Sequence, residues 1–353
     1  MSILFAIILF SFLIFIHELG HFLTAKAFGI RVNEFAMFMG PAIWKKQVGE
    51  TLYSIRCIPL GGYCAMEGED QDTDDPRSFQ KAAWWKRLIV LVAGAFMNFV
   101  AGVLIFAILY LPAKQVAVPV IGEFMECCIF NHDEGLQVGD EILEIDGERI
   151  YLNSDISMML SLNQTVKHDV TVLRNGQERE FHDLTMAHTH VDEEGNEYLH
   201  YGFSFGEVRA LDLAGKFDLV GRVTADNIRN IRLSLKMLLT GQAGLKDMTG
   251  PVGIVQIMSE SAESSETTLD AVLNMLSFGG FIAVNLAVMN LLPIPALDGG
   301  RIFCLLVVTA VEAVTKKKID PKYEGYLHAA GMILLLALMA VIFFKDIFTI
   351  FKG

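Results

Sequence analysis

The sequence predicts a polytopic α-helical membrane protein with about four transmembrane helices, the third of them broken, and a folded insert outside the membrane. Composition, four apolar segments and the distribution of charge carry this reading. Of 353 residues, 53% are hydrophobic and only 20% charged, and the mean hydropathy is +0.43. A water-soluble globule of that composition would lack the polar groups to cover its apolar surface. The net charge of −13 excludes nucleic acid as a partner, because phosphate contact needs a surplus of Lys and Arg. The five cysteines (Cys57, Cys64, Cys127, Cys128, Cys304) are too few and too unevenly spaced for a disulfide framework or a thiolate cluster, and they read as packing residues.

Residues 1–28 form the first span. From Ser2 to Phe28 only His17, Glu18, His21 and Lys26 interrupt the apolar run. With no cationic segment before Lys26, it reads as a retained helix rather than a signal peptide. The second span, 88–111, carries no charge and follows Trp84-Trp85-Lys86-Arg87, an interfacial anchor. The third, 276–314, holds Asn285, Asn290, Pro293, Pro295, Asp298, Gly299, Gly300 and Arg301 in its middle. As one helix it would be about 58 Å long, roughly twice the hydrocarbon thickness, so it must break. Irregular backbone at that depth is tolerated only when buried in protein or lining a cavity, which makes the break a site. The fourth span lies in 329–353 and is closed by Lys345.

Charge sets the orientation. Gly29 to Arg87 holds 8 Lys and Arg and Thr315 to Tyr326 holds 4, which places the loops 29–87 and 315–328 in the cytoplasm. Pro112 to Leu273 holds 12 basic and 27 acidic residues, a local charge of −15, and belongs outside. The chain is thus expected in the cell (plasma or inner) membrane as a multi-pass protein, with both termini and the insert extracytoplasmic.

Within the insert, Gly135-Leu136-Gln137-Val138-Gly139-Asp140-Glu141-Ile142-Leu143-Glu144-Ile145-Asp146-Gly147 alternates strand and turn, and Asn175-Gly176 predicts a tight hairpin. The pattern resembles a PDZ domain over roughly 116–190, within an insert of 112–206. The resemblance implies an α/β domain that takes a peptide end by strand addition. His182, His188, His190 and His200, around the 192–196 turn, lack a further ligand at zinc-site spacing and read as a solvated strand face. Residues 207–275 form a connector containing an amphipathic helix, with Val223, Ile228, Ile231, Leu235 and Leu238 at helical spacing between Arg222, Arg229, Arg232 and Lys236.

His17-Glu18-Leu19-Gly20-His21 carries the chemistry. Residues four apart on a helix share a face, so both imidazoles can hold one metal, with Glu18 placed to act on a metal-bound water. Each ionisable group inside an apolar helix costs about 2.5–3.5 kcal/mol by insertion scales, and a bound dication compensates the three. Zinc suits neutral imidazole and needs a third protein ligand. Asp298 is the candidate at matching depth, because Glu312 lies towards the Lys316–Lys318 cluster. Two prolines and paired glycines let its segment unwind beside the metal.

The H-E-x-x-H, the later Asn290-Leu291-Leu292-Pro293-Ile294-Pro295-Ala296-Leu297-Asp298-Gly299-Gly300, the PDZ-like insert and Gly250-Pro251-Val252-Gly253-Ile254 together resemble the site-2 protease family, in its regulator of sigma-E protease group with a single PDZ-like domain. The resemblance implies an intramembrane zinc metalloendopeptidase that cuts single-span membrane proteins, such as anti-sigma factors or remnant signal peptides, by Glu-assisted attack of zinc-bound water. It makes His17, His21 and Asp298 the metal ligands and Glu18 the general base. It has Asn290, seconded by Asn285, position the substrate or steady the oxyanion. It also implies a membrane-associated β-hairpin over about 35–66, for which Thr51–Ile58 is strand-like and Pro59-Leu60-Gly61-Gly62-Tyr63 turn-like, able to capture an extended substrate. Gly94 and Asn98 match the family's Gly-x-x-x-Asn, a packing contact near the site. Membrane lipid, single-span substrates and a peptide end are then the expected partners. Two rival readings are a catalytically silent scaffold, against which intact Glu18 counts, and a transporter, against which the lack of an inverted repeat of Pro293–Gly300 counts.

Overall fold

A computed structural model of the chain describes residues 2–69, 73–125, 135–163, 165–191, 197–244, 248–317 and 322–352. The 192–196 turn, Cys127, Cys128 and Lys318 lie outside the described residues, as do the side chains of His188, His190 and His200. The chain divides into two units: residues 1–109 with 227–353, and an inserted unit, 110–226.

The first unit begins with α1 (Ser2–Ala27), whose hydroxyl groups at Ser11 and Thr24 are satisfied locally: Ser11 Oγ donates to the Ile7 carbonyl, and Thr24 Oγ1 to those of Gly20 and His21. Gly29, with φ +76°, ends the helix, and Ile30 N–H returns to the Ala25 carbonyl. β1 (Val32–Val48) and β2 (Thr51–Met66) follow. They do not form the single hairpin expected over 35–66. β1 bends where Phe38 and Gly40 take φ of +71° and +84°, and β2 reverses at Gly61, φ +76°. As a result residues 42–48 pair with 51–56, while residues 34–37 lie between 52–55 and 62–65. Arg56 pins these bends, donating to Glu34 Oε1 at 2.8 Å, the Gly40 carbonyl at 2.6 Å and the Tyr63 hydroxyl. The sheet packs on α1, with Phe35, Cys64, Met66, Ala25 and Ile30 in one core with Val90 and Leu91. Those last two belong to α2 (Trp84–Tyr110), which starts at the tryptophan anchor itself. α1 and α2 approach closely at Gly20, where a Cβ would overlap the Ala93 carbonyl.

The inserted unit contains β3 (Gln115–Ala117), β4 (Ile121–Phe124), β5 (Glu141–Ile145), β6 (Glu148–Arg149), α3 (Asn153–Leu162), β7 (Lys167–Arg174), β8 (Gln177–Thr185), β9 (His188–Val191), β10 (Glu197–His200), β11 (Phe203–Phe205) and β12 (Val208–Ala210). Its main sheet has the order β6-β5-β7-β8, over a core of Ile142, Ile145, Ile156, Val170 and Val172. β7 and β8 turn through Asn175 and Gly176, both left-handed (φ +52° and +78°), as an Asn-Gly hairpin requires. Asp140 is buried and bonded twice by Arg174, and its Oδ2 also accepts the Gln137 N–H, so the Gly-Asp of this run is a structural corner. The unit does not stop at residue 206. β11 and β12 pair back onto β4 and β3, and the unit runs on to 226 in the first half of α4 (Leu213–Thr240). On α4, Arg222, Arg232 and Lys236 are exposed and Val223 and Ile231 buried as amphipathicity predicts, but Arg229 is buried and Ile228 and Leu238, expected on the apolar face, are exposed.

Back in the first unit, α5 (Pro251–Glu263) opens with Gly250 as N-cap and Pro251 in its first turn. α6 (Thr268–Leu291) begins eight residues before the expected 276, because Thr267 Oγ1 accepts the Asp270 N–H and sets the helix start there. It ends at Leu291, since the prolines force Leu292 into an extended conformation. After residues 292–297, α7 (Asp298–Thr315) restarts the helix, and α8 (Lys322–Lys352) completes the chain. α1, α2, α6 and α8 are long and apolar enough to cross a membrane, at about 1.5 Å per residue. They pack through small residues: a Cβ at Gly102 would press on Val284, and one at Gly279 on Leu9. Ala6, Leu9, Leu13, Met258, Met275 and Ile282 form the core shared by α1, α5 and α6.

Candidate metal centre

The spacing of His17 and His21 puts both imidazoles on one face of α1, and the structure turns each ring towards the same point. His21, 6% exposed, donates from Nδ1 to the Val90 carbonyl of α2 at 2.8 Å, which leaves its Nε2 as a bare acceptor. That Nε2 lies 3.2 Å from His17 Nε2. On the other side of His17, Nδ1 lies 3.4 Å from the side-chain amide of Asn98, which is almost fully buried and has an unpartnered Oδ1. Turning the Asn98 amide over would satisfy Oδ1 with His17 Nδ1–H and leave His17 Nε2 bare too. Between these contacts stands Gly94, where a Cβ would overlap His21 Nε2 and come within 2.7 Å of His17 Cε1. Gly94 and Asn98, expected as packing contacts, therefore shape the centre directly.

Asp298 completes it. As the first residue of α7, it places Oδ2 3.1 Å from His17 Nε2 and 3.3 Å from His21 Nε2. Oδ2 is buried and accepts no hydrogen bond from either ring. Two imidazole acceptors and a carboxylate facing one another at this range repel unless a cation lies among them. The separations also match the edge of a tetrahedron with ligand bonds of about 2.0–2.1 Å, so the donor set fits zinc. Among the described residues this is the one group of three or more such ligands that could hold a metal ion.

Asp298 reaches this position because Gly299 and Gly300 lie under the preceding turn, where a Cβ would overlap the carbonyls of Leu292 and Ile294. Ala296 is left-handed, with φ +82°, a strain of order 1–3 kcal/mol for an L-residue. Glu18 is half-buried beside the sheet, its Cγ 3.6 Å from the position a Cβ on Gly62 would take, and it is within electrostatic reach of His17, His21 and Asp298. Asn285 and Asn290 lie on α6, both half-buried, and among the described residues neither side chain makes a hydrogen bond. Neither amide is therefore engaged in the interhelical bond that is the usual alternative role for an Asn in a span. His182 is exposed, 3.6 Å from Asp169, as a solvated face predicts.

Three contributors escape sequence reasoning. The Val90 carbonyl is a backbone atom and leaves no residue signal. Arg301 pairs with Glu69, whose Oε2 accepts the Met66 N–H, and so ties the end of β2 to the first turn of α7. His328 of α8 accepts the Ala296 N–H from 32 positions away.

The chain is similar throughout its length to proteins that carry zinc metalloprotease names. It is 36% identical to a chain of Clostridium perfringens named as a zinc metalloprotease, with 98% of each covered. It is 28% identical to the zinc metalloprotease RasP of Geobacillus kaustophilus, covering 98% of this chain and 97% of that one. It is 27% identical to the regulator of sigma-W protease RasP of Bacillus subtilis, with 98% of each covered. The profile of peptidase family M50 matches residues 5–338, and the chain belongs to that family.

Proposed function

We propose that the chain hydrolyses peptide bonds of single-span membrane proteins within the bilayer, with anti-sigma-factor-like proteins and remnant signal peptides as substrate classes. Membership of family M50 makes it a zinc metalloendopeptidase. The observation that carries the intramembrane reading is the convergence of His17, His21 and Asp298 within 3.3 Å of one another, with both histidines inside a 24-residue apolar span. These three residues would hold the metal, which when bound supplies Lewis acidity that polarises the scissile carbonyl and makes water nucleophilic near neutral pH.

Glu18 takes the proton of the attacking water and delivers it to the leaving amine nitrogen. The amides of Asn290 and Asn285, without a partner among the described residues, suit a carbonyl whose oxygen gains charge in the transition state. The sheet of β1 and β2, beside Glu18 at Gly62, suits capture of an extended substrate, since a helix must release its amides before it can be cut. The inserted unit, with its Gly-Asp corner and hairpin, supports a PDZ-like role in docking a peptide end. The basic loops 29–87 and 315–328 and the acidic stretch between spans two and three support a multi-pass protein of the cell membrane, with the termini and inserted unit extracytoplasmic.

The test is cleavage of a single-span peptide by the purified protein in lipid vesicles. The zinc-loaded protein should cut within the hydrophobic segment, chelation should stop it, and zinc should restore it. Cleavage confined to sequence outside that segment would contradict the intramembrane reading.

A further inference from the structure

Asp298 opens α7, so whatever fixes residues 292–297 fixes Asp298. That turn is held mainly by its own backbone: Ile294 N–H donates to the Leu292 carbonyl at 2.7 Å, and Leu297 N–H to that of Ile294 at 3.2 Å. Pro293 and Pro295 have no N–H to offer. Among the described residues one side chain hydrogen-bonds to the turn: His328 of α8, whose Nδ1 accepts the Ala296 N–H at 3.2 Å. Three residues along the same face of α8, Gly331 leaves the space that Pro295 occupies, and a Cβ there would overlap it. α8 thus meets the turn with one accepting ring and one bare patch of backbone.

The bond falls on the strained residue. Ala296 has φ +82°, which an L-residue keeps only where its surroundings impose it, and Asp298 follows two residues later. Released, Ala296 relaxes towards negative φ and swings Asp298 away from the two imidazoles.

We propose that His328 is a positioning residue for the metal centre: by accepting the Ala296 N–H it holds the left-handed turn that sets Asp298 against His17 and His21. The proposal rests on Asp298 being a ligand. The ring acts as an acceptor at Nδ1, so its proton sits on Nε2. An asparagine, whose Oδ1 reaches the place of Nδ1, can substitute for it.

The test uses the full-length, metal-stripped protein and measures zinc affinity by competition with a chromogenic chelator, with thermal unfolding of each metal-free variant alongside. His328→Leu should weaken zinc binding about 10–100-fold, the usual cost of losing a residue that orients a ligand. His328→Asn should stay near wild-type affinity. Adding Ala296→Gly to His328→Leu should restore binding, because glycine takes positive φ without strain and needs no clamp. Wild-type affinity in His328→Leu would overturn the proposal. So would equal losses in the Leu and Asn variants with no rescue by glycine, which would mark a packing defect. Asp298→Asn separates the two claims: unchanged affinity there defeats the ligand assignment itself, whereas a loss there with none in His328→Leu defeats only the role of His328.

Discussion

Gly94 shows how closely the centre is built at the level of single atoms. A methyl group on its Cα would overlap His21 Nε2 and press on His17 Cε1, the two rings that must converge. The neighbouring backbone is helix and cannot yield without breaking α2, so the rings would have to give way. Gly94→Ala is therefore expected to lower zinc affinity at least tenfold while leaving unfolding of the metal-free protein nearly unchanged, since alanine favours helix over glycine by about 1 kcal/mol. Paired measurements of zinc content and thermal unfolding check it, and full zinc occupancy in the variant would mean that the rings do not meet as described. The histidines themselves were legible in the sequence, because their spacing is local and a helix converts it directly into a shared face. The groups that orient them were not. His21 is turned by a backbone carbonyl 69 residues away, and His17 by an Asn98 that reads from its motif as a packing residue.

At the scale of elements, helix starts and turns depend on partners distant in sequence. The Gly250-Pro251-Val252-Gly253 run is one case. Asp346, near the end of α8 and 6% exposed, accepts the Gly253 N–H at 3.0 Å, and a Cβ on Gly250 would come within 2.6 Å of its Oδ2. Both glycines thus make room for a carboxylate that caps α5 from another helix. Asp346→Ala should cost about 0.5–2 kcal/mol, the range for losing a capping group, and should speed hydrogen exchange first at the opening turn of α5. Uniform exchange across α5 would argue against the cap.

In the inserted unit, Asp146 accepts from Asn163 at 2.9 Å, the His168 ring at 2.8 Å and the Asp169 N–H at 3.0 Å. Partial burial opposes its ionisation, but these hydrogen bonds prevail and hold its pKa below the ordinary 3.8. A carboxyl with a depressed folded pKa contributes stability above the unfolded value and loses it as pH falls through the folded one. The inserted unit should therefore weaken below about pH 4, and Asp146→Asn should flatten that part of its acid-unfolding curve. An unchanged curve would assign the acid sensitivity elsewhere. The sheet of β1 and β2 was harder to foresee. Its strand-like residues and its Pro-Gly-Gly turn are visible in the sequence, but the bends at Phe38 and Gly40 that fold two strands into a broader sheet are imposed by packing on α1 and by Arg56.

For the whole molecule, the excess of apolar residues is what made the few polar ones readable. His17, Glu18, His21, Asn290 and Asp298 stand out because each is expensive in lipid, and the structure draws both histidines and Asp298 to one point. The division into a helical unit and an acidic inserted one was legible from charge. Its boundary at 226 was not, because β11 and β12 close the inserted unit by pairing with strands 79–95 residues earlier. The central claim is that this molecule cuts peptide bonds with a base distinct from its metal ligands. Glu18→Gln tests it most directly, because the substitution keeps shape and leaves His17, His21 and Asp298 in place. In lipid vesicles with a single-span substrate, the variant should bind as much zinc as the wild type and cleave nothing measurable over the time in which the wild type consumes its substrate, whereas zinc-loaded Glu18→Gln that still cleaves would contradict the account.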